Sequence, residues 1–179
     1  MNPIKVVITG GPSTGKTSVI KRIEERGFLC LHEISRSITL EARAEGIPQL
    51  FLTDPLRFSK RILEGRLAQF YEAENALTDI VFLDRGLPDV LAYMDGVHQK
   101  YTRDFVDACK NNRYDNVFLL PPWKDIYTAD NERHENFDEA IRIHDFLERT
   151  YTNYGYRVQE VPISSVDERV NFILSALNK

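Results

Sequence analysis

An α/β fold, with a parallel sheet covered by helices on both faces, is what the sequence predicts. Three observations predict it. Short apolar runs alternate with longer segments of helical periodicity along the whole chain, the pattern of a parallel sheet linked by helical crossovers. Most of those runs are nearly continuous in hydrophobic residues, as strands buried on both faces are. A glycine-rich turn joins the first run directly to the first helical segment. Composition agrees: of 179 residues, 42% are apolar and 28% charged, which fits a globular chain long enough for one substantial core.

The elements follow in order. IKVVIT (4–9) reads as the first strand, and a helix over 15–26 comes after the glycine-rich turn. Gly27 stops that helix, because glycine takes the left-handed conformation in which helices end. FLCL (28–31) is the second strand. A helix over 55–77 has Pro55 in its first turn and Asp54 as N-cap, each favoured there. Leu56, Leu63, Leu67, Phe70 and Leu77 recur along it at helical spacing. IVFLD (80–84) is the third strand, and helices over 87–95 and 103–112 are separated by a break at Asp95-Gly96. NVFLL (116–120) and RVQEVPI (157–163) complete the strands, with helices over 136–153 and 166–178. Ala140, Ile143, Leu147 and Tyr151 form an apolar stripe on 136–153, read as core packing. PPWKDIYTADNERHE (121–135) carries no pattern; a loop of that length in a compact domain is usually functional. The expectation is one domain, residues 1–179, with a lid loop at about 121–135.

Charge and composition exclude several classes. A net charge of −4 provides no overall basic field for nucleic acid. No apolar stretch approaches the roughly 20 residues of a membrane helix. Cys30 and Cys109 lie far apart without a metal-ligand pattern, so both are expected as buried free thiols of a reducing compartment. No signal peptide opens the chain, and a cytoplasmic protein is expected. Monomer and homodimer are both compatible with the sequence.

The chemistry begins at Gly10-x-x-x-x-Gly15-Lys16-Thr17. This is a phosphate-loop pattern, in which backbone N–H groups surround an anion at the start of a helix. Gly10, Gly11, Pro12, Ser13, Thr14, Gly15, Lys16, Thr17 and Ser18 are the expected nucleotide-binding residues. Lys16 would reach the β- and γ-phosphates and Thr17 would ligate Mg²⁺. Asp84 ends a buried strand at the sheet edge where ligands bind. It is a candidate metal ligand or proton acceptor, with capping of the helix near Leu87 as the bland alternative. Arg85 beside it is a candidate for phosphate or transition-state charge, or is simply exposed.

In LHEISRS, Glu33 and Arg36 fall on the same edge as candidate acceptor contacts, or form the first turn of a solvated helix. His32 has no second histidine at ligand spacing. Arg133 in the unpatterned loop is a candidate lid cation over a triphosphate. Arg142, with Asp138 and Asp145 nearby, is a weaker candidate beside the lid, and Arg57 and Arg61 could cover an acceptor site; solvated faces are the commoner reading of both.

GGPSTGKT, HEISR, FLDRG and PPWKDIYTADNERHENFDEA together resemble stand-alone AAA-like domain ATPases of the phosphate-loop class. These are more similar to nucleoside and nucleotide kinases, and to the nicotinamide riboside kinase domain, than to ring-forming ATPases. The resemblance spans residues 4 to about 178. It implies a three-layer α/β/α sandwich with a five-stranded parallel sheet of order 2-3-1-4-5. It also implies triphosphate on Gly10 to Thr17, Mg²⁺ on Thr17 and Asp84, the acceptor on Glu33, Arg36 and Arg85, and Arg133 in the lid.

The expected function is a Mg²⁺-dependent kinase moving the γ-phosphoryl of ATP to a nucleoside-, nucleotide- or vitamin-like acceptor. No Asp-Glu pair of the kind that activates water stands at Asp84, which favours transfer over hydrolysis. The alternatives are a nucleotide-dependent switch or ATPase/GTPase acting on a partner protein, and a plain triphosphate hydrolase. No Asn-Lys-x-Asp guanine-reading element is present, so ATP is preferred over GTP.

Overall fold

The structure, a computed structural model, describes residues 2–126 and 137–177. Five strands, β1 (Ile4–Gly10), β2 (Leu29–Leu31), β3 (Ile80–Asp84), β4 (Asn116–Leu120) and β5 (Val158–Glu160), form one sheet. Its order is β2-β3-β1-β4-β5 and every pairing is parallel, as the resemblance implies. β1 is central and its Val6, Val7 and Ile8 are fully buried, so the uninterrupted apolar run reflects cover on both faces.

Successive side chains of β1 point to opposite layers. Val6 and Ile8 join Val19, Ile20 and Ile23 of α1 (Lys16–Glu25) and Val170 and Ile173 of α8 (Val166–Leu177). Val7 joins the other layer, built from α4 (Pro55–Glu74), α5 (Leu87–Gly96), α6 (Arg103–Asn111) and α7 (Phe137–Asn153). Each fully buried Val or Ile contributes roughly 1.5–3 kcal/mol to holding these layers together. The stripe Ala140, Ile143, Leu147 and Tyr151 is buried, as expected of core.

Some boundaries differ from expectation. The Asp54 carboxylate accepts from Arg57 N at 3.1 Å and caps α4 with Pro55 in its first turn. The helix stops at Glu74, however, because the Asn75 side chain donates to the Tyr71 carbonyl at 2.7 Å and competes with the helical ladder. Leu77 therefore lies outside the helix and fully exposed, and Leu56 is also exposed. The buried face of α4 is Ile62, Leu63, Arg66, Phe70 and Ala73. Two further helices, α2 (Ser35–Ala44) and the single turn α3 (Leu50–Thr53), follow β2, where a solvated helix is expected only as the alternative reading of Glu33 and Arg36. α2 buries only Ile38 and Ala42, too few to mark a period.

Parallel pairing brings one set of strand ends to one edge. Leu31 pairs with Leu83, Ile8 with Asp84, and Gly10 with Leu120. The residues that follow β2, β3 and β1 therefore converge, although they come from distant parts of the chain.

Candidate functional site

The loop after β1 leads straight into α1. Gly15 is the N-cap residue, with φ of 78°, a left-handed conformation that glycine takes without a Cβ penalty. Ser13 is left-handed too, at φ 55°, and the Thr14 Oγ1 donates to the Gly11 carbonyl at 3.0 Å. Gly11, Pro12 and Thr14 are buried, Ser13, Gly15 and Lys16 half-buried, Thr17 and Ser18 exposed.

Lys16 opens α1 with its Nζ 3.7 Å from Asp84 Oδ1. Burial, then the nearby Arg85 charge, lowers the Lys16 pKa to about 8 despite Asp84, Glu33 and Asp89. Asp84 Oδ1 is itself buried and accepts no hydrogen bond from the described residues.

Beside this pair stands a second cluster. Arg85 continues the ladder past β3 by donating its N–H to the Ile8 carbonyl at 3.0 Å, then turns left-handed at φ 76°. Non-glycine residues held in that region mark sites where surrounding structure over-determines the backbone. The surroundings here are specific. Arg85 Nε lies 2.5 Å from Glu33 Oε2, and its Nη1 lies 3.1 Å from Asp89 Oδ1. Glu33 also sits 3.5 Å from Arg66 Nη2 and accepts from the Ile34 and Ser35 N–H groups at 3.0 Å. Burial alone would raise the Glu33 carboxyl, but Arg66, Arg85 and the Ser35 N–H outweigh it and hold it at about 2.

Asp89 is the hub of this cluster. It is fully buried in the first turn of α5. Thr9 Oγ1 donates to it at 2.6 Å, Gly86 N at 2.9 Å and the Tyr151 hydroxyl at 2.5 Å. One carboxylate thus ties the end of β1, the Arg85 turn and α7 together. Gly86 is required by space: a Cβ there would stand 2.6 Å from the Tyr151 hydroxyl. Arg66 closes the back by donating to the Gly86 carbonyl at 2.9 Å. Lys16, Arg66 and Arg85 therefore face Asp84, Glu33 and Asp89, three charges against three, and anionic substrates would meet cations already held in place.

A family model described as AAA domain matches residues 5–169. The chain belongs to that family. Three solved structures share the fold of this AAA-domain chain. Deoxyadenosine kinase from M. mycoides has a TM-score of 0.71 at 17% identity, covering 98% of this chain and 99% of that one. NadR protein in complex with NR gives 0.76 at 19%, covering 99% of this chain but 50% of that one. Thymidylate kinase from Ehrlichia chaffeensis gives 0.67 at 14%, covering 99% and 100%. No curated protein matches the sequence. The AAA-domain chain thus shares its fold with deoxyadenosine kinase, NadR protein and thymidylate kinase.

Of the residues singled out in the sequence, Lys16 and Asp84 pair, and Glu33 and Arg85 pair beside them. Arg36 is exposed in the first turn of α2, with no bonded partner among the described residues. Arg133 and most of the proposed lid lie outside the described residues. The cap of α5 is Gly86, with Asp89 closing the capping box, so Asp84 is not spent on that helix. Arg57 and Arg61 pair with Glu45, His32 with Glu24, and Arg142 with Glu139 rather than Asp138 or Asp145.

Arg66, Asp89 and Thr9 were not anticipated, and Tyr151 was expected only as core. Two carried a signal: Asp89 stands three residues after Gly86, where a capping acid belongs, and Arg66 interrupts an otherwise apolar helical face.

Proposed function

We propose that the chain is a small-molecule kinase, transferring the γ-phosphoryl of ATP to a hydroxyl or phosphate of a nucleoside-, nucleotide- or vitamin-like acceptor. The observation that carries this reading is the Glu33–Arg85 pair beside the Lys16–Asp84 pair at one sheet edge. In this reading one pair serves the phosphates and the other the acceptor, side by side as transfer between two bound molecules requires. The kinase architecture of the solved relatives supports it.

In this reading the backbone of Gly10 to Gly15 and the Lys16 ammonium bind the polyphosphate. Asp84 and Thr17 fit Mg²⁺: a buried carboxylate oxygen without a hydrogen bond and an exposed hydroxyl are the hard donors that magnesium takes alongside phosphate and water. Bound there, the ion supplies charge neutralisation between phosphates. Arg85 faces the transferring group and Glu33 accepts the hydrogen bond of the acceptor hydroxyl.

That hydroxyl oxygen forms the new bond to phosphorus as the bond to the ADP oxygen breaks, and the hydroxyl proton leaves to an oxygen of the transferred phosphoryl group and then to water. A carboxylate held at about 2 is a weak base, so Glu33 serves mainly to orient. Phosphoryl transfer passes through a loose transition state that asks little of a base. Arg36 and Arg133 extend the acceptor side and the lid.

The test is a screen of nucleosides, nucleotides and phosphorylatable vitamins with Mg²⁺ and ATP, reading ADP release. The right acceptor is expected to raise turnover at least about tenfold. Nucleotide binding with slow turnover that no acceptor stimulates would transfer the case to a switch or ATPase.

A further inference from the structure

Two arginines are buried among the described residues, Arg66 and Arg169. Arg66 has Glu33 beside it. Arg169, 4% exposed, has no carboxylate within ion-pair distance among the described residues, and its Nε is buried without a hydrogen-bond partner. A buried cation without a counter-charge is costly, so its location calls for an explanation.

That location is the phosphate loop. Arg169 stands just past the first turn of α8, which is fixed by the Ser165 N–H and hydroxyl donating to Glu168 at 3.0 and 2.7 Å. Its Nη1 donates to the Thr14 carbonyl at 3.0 Å. The guanidinium lies directly over Gly15, where an added Cβ would meet Nη1 at 2.9 Å and Nη2 at 3.0 Å. Trp123 covers it, with the ring centroid 5.5 Å from Cζ. No peptide bond among the described residues is cis, and a trans peptide directs its C=O and N–H to opposite sides. A cation gripping the Thr14 carbonyl therefore turns the Gly15 N–H away from itself.

We propose that Arg169 is a positioning residue of the phosphate loop: it aims the Gly15 N–H at a bound polyphosphate and holds a positive charge, unmatched by a carboxylate among the described residues, that the polyphosphate neutralises. This rests on the phosphate-loop reading of residues 10–17. The loop's own Lys16 works from the side of Asp84, whereas Arg169 works from behind the backbone, carried by α8. Gly15 is then constrained twice, by its left-handed φ and by the guanidinium against its Cα.

The experiment is titration calorimetry of the full chain with Mg²⁺–tripolyphosphate and with Mg²⁺–ATP, for the parent, Arg169→Met and Arg169→Lys. Arg169→Met is expected to weaken both ligands alike, by about tenfold or more, as loss of a charge-assisted contact does. Arg169→Lys recovers part of the loss. The ligand-free thermal midpoint of Arg169→Met is expected to stay level or rise, since a buried charge without a carboxylate partner among the described residues has gone; a purely structural arginine would lower it.

Met-variant affinities within about twofold of the parent overturn the proposal. So does a loss confined to ATP, or a loss that tracks a fall in ligand-free stability and that Lys does not restore. Should Arg169→Met fail to fold, Arg169→Lys decides: weaker tripolyphosphate binding at an unchanged midpoint supports the proposal, and parent-like binding sinks it. A parent chain that binds neither ligand refutes the phosphate-loop reading itself.

Discussion

At the scale of single residues, the buried charges make the sharpest claims. Lys16 titrates near 8 because burial and Arg85 oppose its charge, and a bound triphosphate favours the charged form. Nucleotide binding should therefore draw in almost no proton at about pH 6.5 and approach about one at pH 9. Calorimetry in two buffers of different ionisation enthalpy measures this, and Lys16→Ala should abolish it. Glu33 runs the other way. Its folded value of about 2 lies below the ordinary 4.5, so its stabilisation is present above pH 4.5 and is lost as pH falls toward 2. Acid unfolding of Glu33→Gln should accordingly be flatter across that window than the parent's. Asp89→Asn replaces an acceptor of four donors with a group that is partly a donor. It should cost about 3–5 kcal/mol in urea unfolding, as breaking a buried ion pair does; a loss under about 1 kcal/mol would mean that the hub holds little. The glycine-rich turn between β1 and α1 was legible because its pattern is written in consecutive residues. The hub was not, since Thr9 and Tyr151 reach Asp89 across 80 and 62 positions, and only the folded sheet brings them together.

At the scale of elements, legibility followed burial. Strands β1, β3 and β4 are buried from one layer to the other, so their runs announce themselves. α2 buries two residues of its ten and left no period to find. α4 shows both outcomes. Its start was readable from Asp54 and Pro55, where local chemistry decides, and Asp54→Ala should cost about 1 kcal/mol of stability by chemical denaturation. Its end was misjudged because Leu77 continues the apolar spacing past the Asn75 cap. An exposed leucine beyond a cap adds nothing to the core, so Leu77→Ala should leave the denaturation midpoint unchanged.

At the scale of the whole molecule, alternation of strand and helix together with the family resemblance was enough for the sheet order, whereas the charge-matched cluster depends on register between distant strands. The two cysteines give this organisation a further use. Cys30 belongs to the layer of α1 and α8, and Cys109 to the layer of α4 to α7. Burial pushes both thiols up to about 12, so neither should react with a disulfide reagent until its own layer opens. If the sheet unfolds as one unit, both should label at one common rate. ATP at about 100 times its Kd, adding about 2.7 kcal/mol, should slow them together by about a hundredfold. Labelling at two different rates would reveal layers that open separately. The chain carries a chemical clock on each side of its sheet, and the two can be read against each other without adding a probe.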